Sequence, residues 1–271
     1  MRALIPLVLA AAVLAGCAGA EPPPVGVVQP ALPEVAANPA IAALAPPELR
    51  GSGALRVAVP FESGAERELA EALADRLGLV VVPDGVSAAA LPRALFEGRH
   101  DLGVSPNAAE PPRGAEEVPW LAARSALVTP PGNPDRVEAT TLCGHRIGVV
   151  AGSVQHAEAR QKAAHCGDNR LPALEIVTVA GALDATRRLL DDGLDAFLAD
   201  APAAGHAVVA GMGKLEIPST PWGEGTGAII AAPAVAAAVR AALDSLIADG
   251  TYEVILQRWL LTDQAVPPTG S

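Results

Sequence analysis

Aromatic side chains are scarce in this 271-residue chain: three Trp, three Phe and one Tyr, 3% of the total. Many small-molecule sites have aromatic walls, so a deep ring-lined pocket is not expected. Basic residues are outnumbered, 19 Lys and Arg against 30 Asp and Glu, for a formal net charge of −11. With no basic stripe to meet phosphate, nucleic acid is excluded as a partner. Cysteine occurs only at positions 17, 143 and 166. The apolar run from Leu4 to Leu14 falls short of the roughly 20 residues that span a bilayer. No nucleophile elbow or phosphate loop is present, and Gly211-Met-Gly213-Lys214 is too short to be one. His145, His156 and His165 lack a zinc-ligand spacing, so neither a metal nor a cofactor is expected.

The N-terminus reads as an export signal. Arg2 supplies positive charge, the apolar run follows, and small residues precede Cys17 in Leu14-Ala15-Gly16-Cys17. That stretch resembles the lipobox of bacterial lipoproteins. The resemblance implies that Cys17 is diacylated (palmitate being one such chain), becomes the new N-terminus and holds the protein at the outer face of the cell membrane. Each buried methylene contributes roughly 0.8 kcal/mol, so two acyl chains anchor stably where one does not. The simpler alternative is an ordinary signal peptide with a chance cysteine. Residues 17–53 are rich in proline and alanine, sustain no hydrophobic period and read as a tether after a signal peptide of residues 1–16.

About 210 residues remain, enough for one large domain or two small lobes. With Cys17 lipidated, Cys143 and Cys166 form an even remainder in an oxidising compartment, which suggests a disulfide. A strand over Arg146–Val150 and a helix over Ser153–Cys166 folded back on it would bring both to one edge. Two unpaired buried thiols are the alternative.

Strands and helices alternate twice. Leu55–Val59 is an apolar strand, and the helix after it carries Leu69, Leu73 and Leu77 on one face before Gly78 ends it. A strand over Leu79–Val82 and a helix with Leu91 and Leu95 follow. The second half repeats this, with a strand over His145–Val150, a helix capped by Ser153, a strand over Ile176–Val179 and a helix ending at Leu190. Gly98 to Ser105 and Gly193 to Asp200 echo each other as helix, glycine, aspartate, strand and polar tip. Such alternation predicts parallel α/β sheets in two lobes. Ligands of open α/β sheets lie beyond the carboxyl ends of strands, which directs Ser105, Arg113, Ser153 and Asp200 toward a shared cleft.

Three stretches carry a family resemblance: Arg146-Ile-Gly-Val-Val-Ala-Gly152-Ser153-Val-Gln155, Asp195-Ala-Phe-Leu-Ala-Asp200, and Asp249-Gly-Thr-Tyr252-Glu-Val-Ile255 with Trp259. Their order and spacing resemble the extracellular solute-binding proteins that deliver polar amino acids to ABC importers, over about Leu55 to Trp259. The resemblance implies a periplasmic-binding-protein-like (type 2) fold, two lobes joined by two hinge strands around a central cleft. It puts lobe 1 at 54–130 and 224–262, lobe 2 at 131–223 and a tail at 263–271, with crossings near Thr129–Asn133 and Trp222–Thr226. It also implies a zwitterion clamp. Arg113 would hold a carboxylate bidentately. Ser105 would line the loop, Ser153 would offer donors at a helix N-terminus, and Asp200 would receive an ammonium. The family's first loop carries a stacking aromatic; here Pro60-Phe61-Glu62-Ser63 passes almost directly into a helix, and Phe61 stands in. Glu110 lies near Arg113 and competes for it. The Cys143–Cys166 pair is similar to a disulfide of some members.

The implied function is capture of a small polar, amino-acid-like solute by a monomeric, lipid-anchored protein that serves ABC permease subunits. The rivals are a sensor or partner-binding surface protein of the same fold and, less favoured, a dehydratase-type enzyme using Glu62, Glu110 or Asp200.

Overall fold

The computed structural model describes residues 28–60, 64–87, 90–105 and 114–268. Cys17, Phe61, Glu62, Glu110 and Arg113 lie outside the described residues. In chain order the first elements are α1 (Pro39–Ala42), α2 (Pro47–Ser52), β1 (Ala54–Pro60), α3 (Ala65–Leu77), β2 (Val80–Val86), α4 (Leu91–Phe96), β3 (Leu102–Ser105) and β4 (Glu116–Ala122). Next come β5 (Ser125–Val128), β6 (Arg146–Val150), α5 (Val154–Asp168), β7 (Glu175–Val179), α6 (Ala182–Leu190), β8 (Ala196–Asp200) and α7 (Ala201–Ala210). The chain closes with β9 (Thr226–Ala231), α8 (Pro233–Ala248), α9 (Thr251–Arg258) and a 3₁₀ turn, Thr262–Gln264.

The strands form two sheets. The first is five-stranded in the order β2-β1-β3-β9-β4, and the second is four-stranded in the order β5-β8-β6-β7. Each has a parallel centre: β1 between β2 and β3, and β6 between β7 and β8. This is the mixed α/β, two-lobed architecture that the alternation of elements predicts. The chain crosses between sheets twice, side by side. Ala123 N donates to the Gly225 carbonyl at 3.0 Å and Ser125 N to the Trp222 carbonyl at 2.8 Å. The first crossing is at Ala123–Arg124 rather than Thr129–Asn133, because Ser125–Val128 already pairs antiparallel with β8 in the second sheet. The second runs from Trp222 into β9.

Local chemistry explains where elements begin and end. Leu69, Leu73 and Leu77 recur every fourth residue and are all buried, so α3 packs one leucine stripe into the first core. Gly78 stops it with φ +67°, a left-handed backbone that glycine adopts at no steric cost. Ser153 starts α5: its hydroxyl oxygen accepts from His156 N at 3.0 Å. Cys143 and Cys166 are bonded, with Cα atoms 5.7 Å apart, and tie the loop before β6 to the last turn of α5.

The repeated aspartate has a structural explanation. Asp101 accepts from Arg56 N at 2.8 Å and from its guanidinium at 2.7 Å. Asp195 does the same to Arg146, at 2.8 Å from the backbone N and 2.5 Å from the guanidinium. In each lobe the residue that leads into one strand clamps the neighbouring parallel strand, fixing register through both main chain and side chain.

Residues 28–53, in the stretch read as a tether, lie along the first lobe. Ala45 and Leu49 are buried in its core, with Val35 and Ile41 packed alongside. Asn38 N donates to the Arg76 carbonyl at 2.9 Å, and Gln29 donates to the Arg258 carbonyl at 2.9 Å. Arg258 in turn grips Glu68 at 2.9 Å and donates to the Pro30 carbonyl. A few apolar anchors in a proline-rich stretch suffice to lay it down as a strap.

The clamp gives a pH-resolved prediction. Burial pushes the Asp195 carboxyl up, but the Arg146 main-chain N–H and guanidinium outweigh it, so Asp195 is held below its ordinary value of 3.8. A depressed carboxyl stabilises the fold above its ordinary value, and the gain fades as pH falls through the lowered one. Asp195→Asn is expected to cost about 1–3 kcal/mol near neutrality. In urea titrations that gap should close in acid below pH 3.8; a gap that persists unchanged there would refute the clamp's charge.

Candidate functional site

Two of the clamp residues implied by the resemblance share one sheet edge. β6 and β8 are neighbours running parallel, and Ser153 and Asp200 follow or close their carboxyl ends. Each begins a helix. Asp200 caps α7, its Oδ1 accepting from Ala203 N at 2.9 Å. Ser153 caps α5, while Gly152 N donates to His156 Nδ1 at 3.1 Å. A capping hydroxyl that accepts one bond still carries a proton to donate. Ser105 ends β3 in the other sheet. It is buried, and its carbonyl accepts from Trp120 Nε1 at 3.1 Å. Arg113 and Phe61 lie outside the described residues.

Behind Asp200 stands a polar network that the sequence reading missed. Ser125 faces Asp200 across the β5–β8 pair. Its hydroxyl donates to Glu158 Oε2 at 3.0 Å and accepts from Gln155 Nε2 at 3.2 Å. Glu158 Oε1 also accepts from Trp222 Nε1 at 2.8 Å, which fastens α5 to the second crossing. Gln155 is 2% exposed, and its Oε1 has no partner among the described residues. A buried amide oxygen without a donor costs free energy of about 1–3 kcal/mol, so this is a place where a donor would be welcome. Gln155 and Glu158 are three apart on α5, a spacing that puts them on one face. That spacing was the only local hint of the network.

Along the seam the two lobes pack directly. Ala201, the first residue of α7, is buried in the first lobe's core, although α7 belongs to the second sheet. A β-carbon built on Gly205 would stand 2.0 Å from the Trp259 carbonyl oxygen, and one built on Gly64 would stand 2.2 Å from the Trp259 indole. His206 meets that indole edge-on, with ring centroids 5.5 Å apart at 82°. The indole Nε1 donates to Glu68 Oε2 at 2.9 Å. Glu66, in the first turn of α3, is 3% exposed at this seam. Burial, and after it the charge of Asp200, pushes the Glu66 carboxyl up to about 8. Among the described residues no group of three His, Cys, Asp or Glu side chains stands together as a metal site.

This architecture, two α/β lobes with paired crossings between them, is that of the periplasmic-binding-protein (type 2) fold. Solved structures with the same fold include a mutant of ArgBP from T. maritima, with a TM-score of 0.60 and 20% identity over 79% of this chain and 97% of that one. Another is a substrate-binding protein of an ABC uptake transporter from Streptococcus pneumoniae with bound histidine, with a TM-score of 0.62 and 18% identity over 81% of this chain and 97% of that one. An ancestral arginine-binding protein bound to arginine matches with a TM-score of 0.60 and 22% identity, over 76% of this chain and 98% of that one. No family model and no curated protein sequence matches the chain.

Main-chain contact at Gly205 predicts intolerance to a single methyl group. Gly205→Ala is expected to lose about 1–3 kcal/mol, the usual cost of overpacking. Gly51, in α2, has nothing within 4 Å of its would-be β-carbon. Gly51→Ala should therefore gain roughly 0.5–1 kcal/mol from helix propensity. Denaturant melts of both variants check this pair, and equal effects at the two sites would contradict the close approach.

Proposed function

We propose that this chain is an extracytoplasmic solute-binding protein, lipid-anchored through Cys17, that captures a small amino-acid-like solute for an ABC importer. The observation that carries the reading is the cluster around Ser125: Asp200 is its register partner across β5–β8, and Gln155, which donates to its hydroxyl, keeps a buried amide oxygen with no donor among the described residues. An ammonium supplies hydrogen-bond donors and a positive charge to both acceptors. Ser153 and the α5 N-terminus, with Arg113 and Ser105, would take the solute's carboxylate. Phe61 would supply the apolar wall. The likeness in fold to proteins solved with bound arginine and histidine supports a solute of this class. Permease subunits are the implied partners, and no catalytic role is assigned to the cleft.

The second reading is a sensor or partner-binding lipoprotein of the same fold. The direct packing of α7 on Trp259 favours it, since a seam closed by the protein's own groups leaves less for a solute to do.

A thermal-shift screen of the chain against amino acids, small amines and organic acids separates the two. A solute present at a hundredfold its Kd stabilises by about 2.7 kcal/mol. The importer reading expects at least one amino acid to raise the melting temperature, and Asp200→Ala to abolish the rise. No shift from any compound sinks it in favour of the second reading. A shift that survives Asp200→Ala would mean the clamp is misplaced.

A further inference from the structure

The two crossings between the lobes are gripped together at both of their ends. On the first-lobe side Ala122 is the register partner of Thr226, and Ala123 N donates to the Gly225 carbonyl at 3.0 Å. On the second-lobe side Ser125 and Trp222 exchange both main-chain bonds, at 2.8 and 2.9 Å. Between these grips a single residue, Arg124, faces two, Gly223 and Glu224. An extra residue on one of two paired strands makes a bulge, where the ladder is interrupted and the strand bends. Gly223 has φ +88°, and a β-carbon built on it would meet nothing within 4 Å. Arg124 is itself divided between the lobes. Its N–H donates to Gln264 Oε1, in the 3₁₀ turn after α9, at 3.3 Å, while its carbonyl accepts from Ala201 N, at the start of α7, at 2.9 Å.

One carboxylate gathers the second-lobe grip. Glu158, on α5, accepts from the Ser125 hydroxyl on Oε2 at 3.0 Å and from Trp222 Nε1 on Oε1 at 2.8 Å. Its two oxygens thus hold, to one helix, the residue of each crossing that stands at the second lobe's edge. Gln155, three residues earlier and on the same face of α5, adds a bond to the Ser125 hydroxyl at 3.2 Å. Hydrogen bonds to an ionised acceptor are roughly twice as strong as neutral ones, so this grip is firmer than the main-chain pair alone. We propose that Glu158 is the root of an interlobe hinge: it fixes the second-lobe ends of both crossings to α5 and so confines bending to Arg124 and to Gly223–Glu224.

Hinges absorb their change of φ and ψ in a few residues at the ends of elements. With Ala123 and Gly225 tied to each other, and Ser125 and Trp222 tied to Glu158, those few residues are the ones at the bulge. Deeper in the second lobe Thr129 and Glu216 exchange main-chain bonds at 3.0 and 2.9 Å, so that level is already closed. Without Glu158 the stretch from Ser125 to Thr129 and its partner from Glu216 to Trp222 would share the bend, and the lobes would lose a defined pivot. Because α5 begins at the Ser153 cap, the same root makes that helix start move with the pivot as one body. The device is independent of the solute reading, since it needs only the two lobes and no ligand.

The test uses the full chain without any solute. Spin labels on non-cysteine handles report one distance between the lobes, Phe96 to Leu171, and one within the second lobe, Leu171 to Leu190; all three positions are exposed. E158A is expected to broaden the first distribution and leave the second as it is. The Trp222 indole N–H should exchange with solvent about tenfold faster in that variant, as expected for loss of a bond to a charged acceptor. S125A and W222F each remove one arm, so each should give part of the broadening and neither should add to E158A. An interlobe distribution in E158A as narrow as that of the unmodified chain overturns the proposal. Equal broadening within the second lobe overturns it too, since Glu158 would then only hold its own lobe together. Should E158A not fold, E158Q takes its place. It leaves one acceptor oxygen for two donors, so the same interlobe broadening is expected in smaller measure, and its absence is equally fatal.

Discussion

The arrangement of this molecule depends on one close approach, the main chain of α7 at Gly205 against the main chain at Trp259. No side chain fits between them. This contact brings the second lobe's helix into the first lobe's core, seating Ala201 there and His206 against the Trp259 ring. It also fixes where Asp200 points, because Asp200 is the cap of the same helix. The paired crossings at Ala123–Arg124 and Trp222 are set separately, by the strands that flank them. Interiors are close-packed, so any volume added at this contact has to be met by a shift of the seam.

Within each lobe a different device holds the sheet. Asp101 with Arg56, and Asp195 with Arg146, fasten adjacent parallel strands through a backbone and a guanidinium bond at once. Parallel strands are linked only by long crossovers, so register has no hairpin to define it. A bidentate side-chain bond at the strand entrance supplies that definition twice over. The echo between the halves is therefore an echo of architecture, and Ser105 and Asp200 close the opposite ends of those strands.

Much of the fold was legible. The leucine stripe of α3, its glycine stop and the serine cap of α5 are local features governed by propensity and backbone geometry. The parallel centre of each lobe followed from alternation, whereas the antiparallel strands β4, β5 and β9 that complete the sheets did not. The first crossing was not legible, because Ala123–Arg124 has neither proline nor glycine to mark it; the chain simply continues from one sheet into the other. The strap was hidden by its prolines: Ile41, Ala45 and Leu49 recur every fourth residue, but Pro39, Pro46 and Pro47 divide the run into two short helices, and the apolar residues still find a core to pack against. At the candidate site, Ser153 and Asp200 were visible as polar tips at strand ends. The network around Gln155 was not, because the Glu158–Trp222 bond joins residues 64 apart, and only the assembled lobe brings them together. Glu66 sits in an Ala-Glu-Arg-Glu run that looks like a solvated helix start. Its burial is a property of the seam, not of its neighbours in sequence.

The central claim is that the lobes meet through a close-packed seam where Gly205 lies against Trp259. Paired spin labels test it most directly, placed through non-cysteine handles at Phe96 on the first lobe and Leu171 on the second, both exposed. Measured in a single buffer for both proteins, the account predicts one narrow distance distribution, and the same distribution with its mean shifted outward in a Gly205→Trp variant. A broad or two-peaked distribution in the unmodified chain, or no response to that bulky wedge, would contradict it.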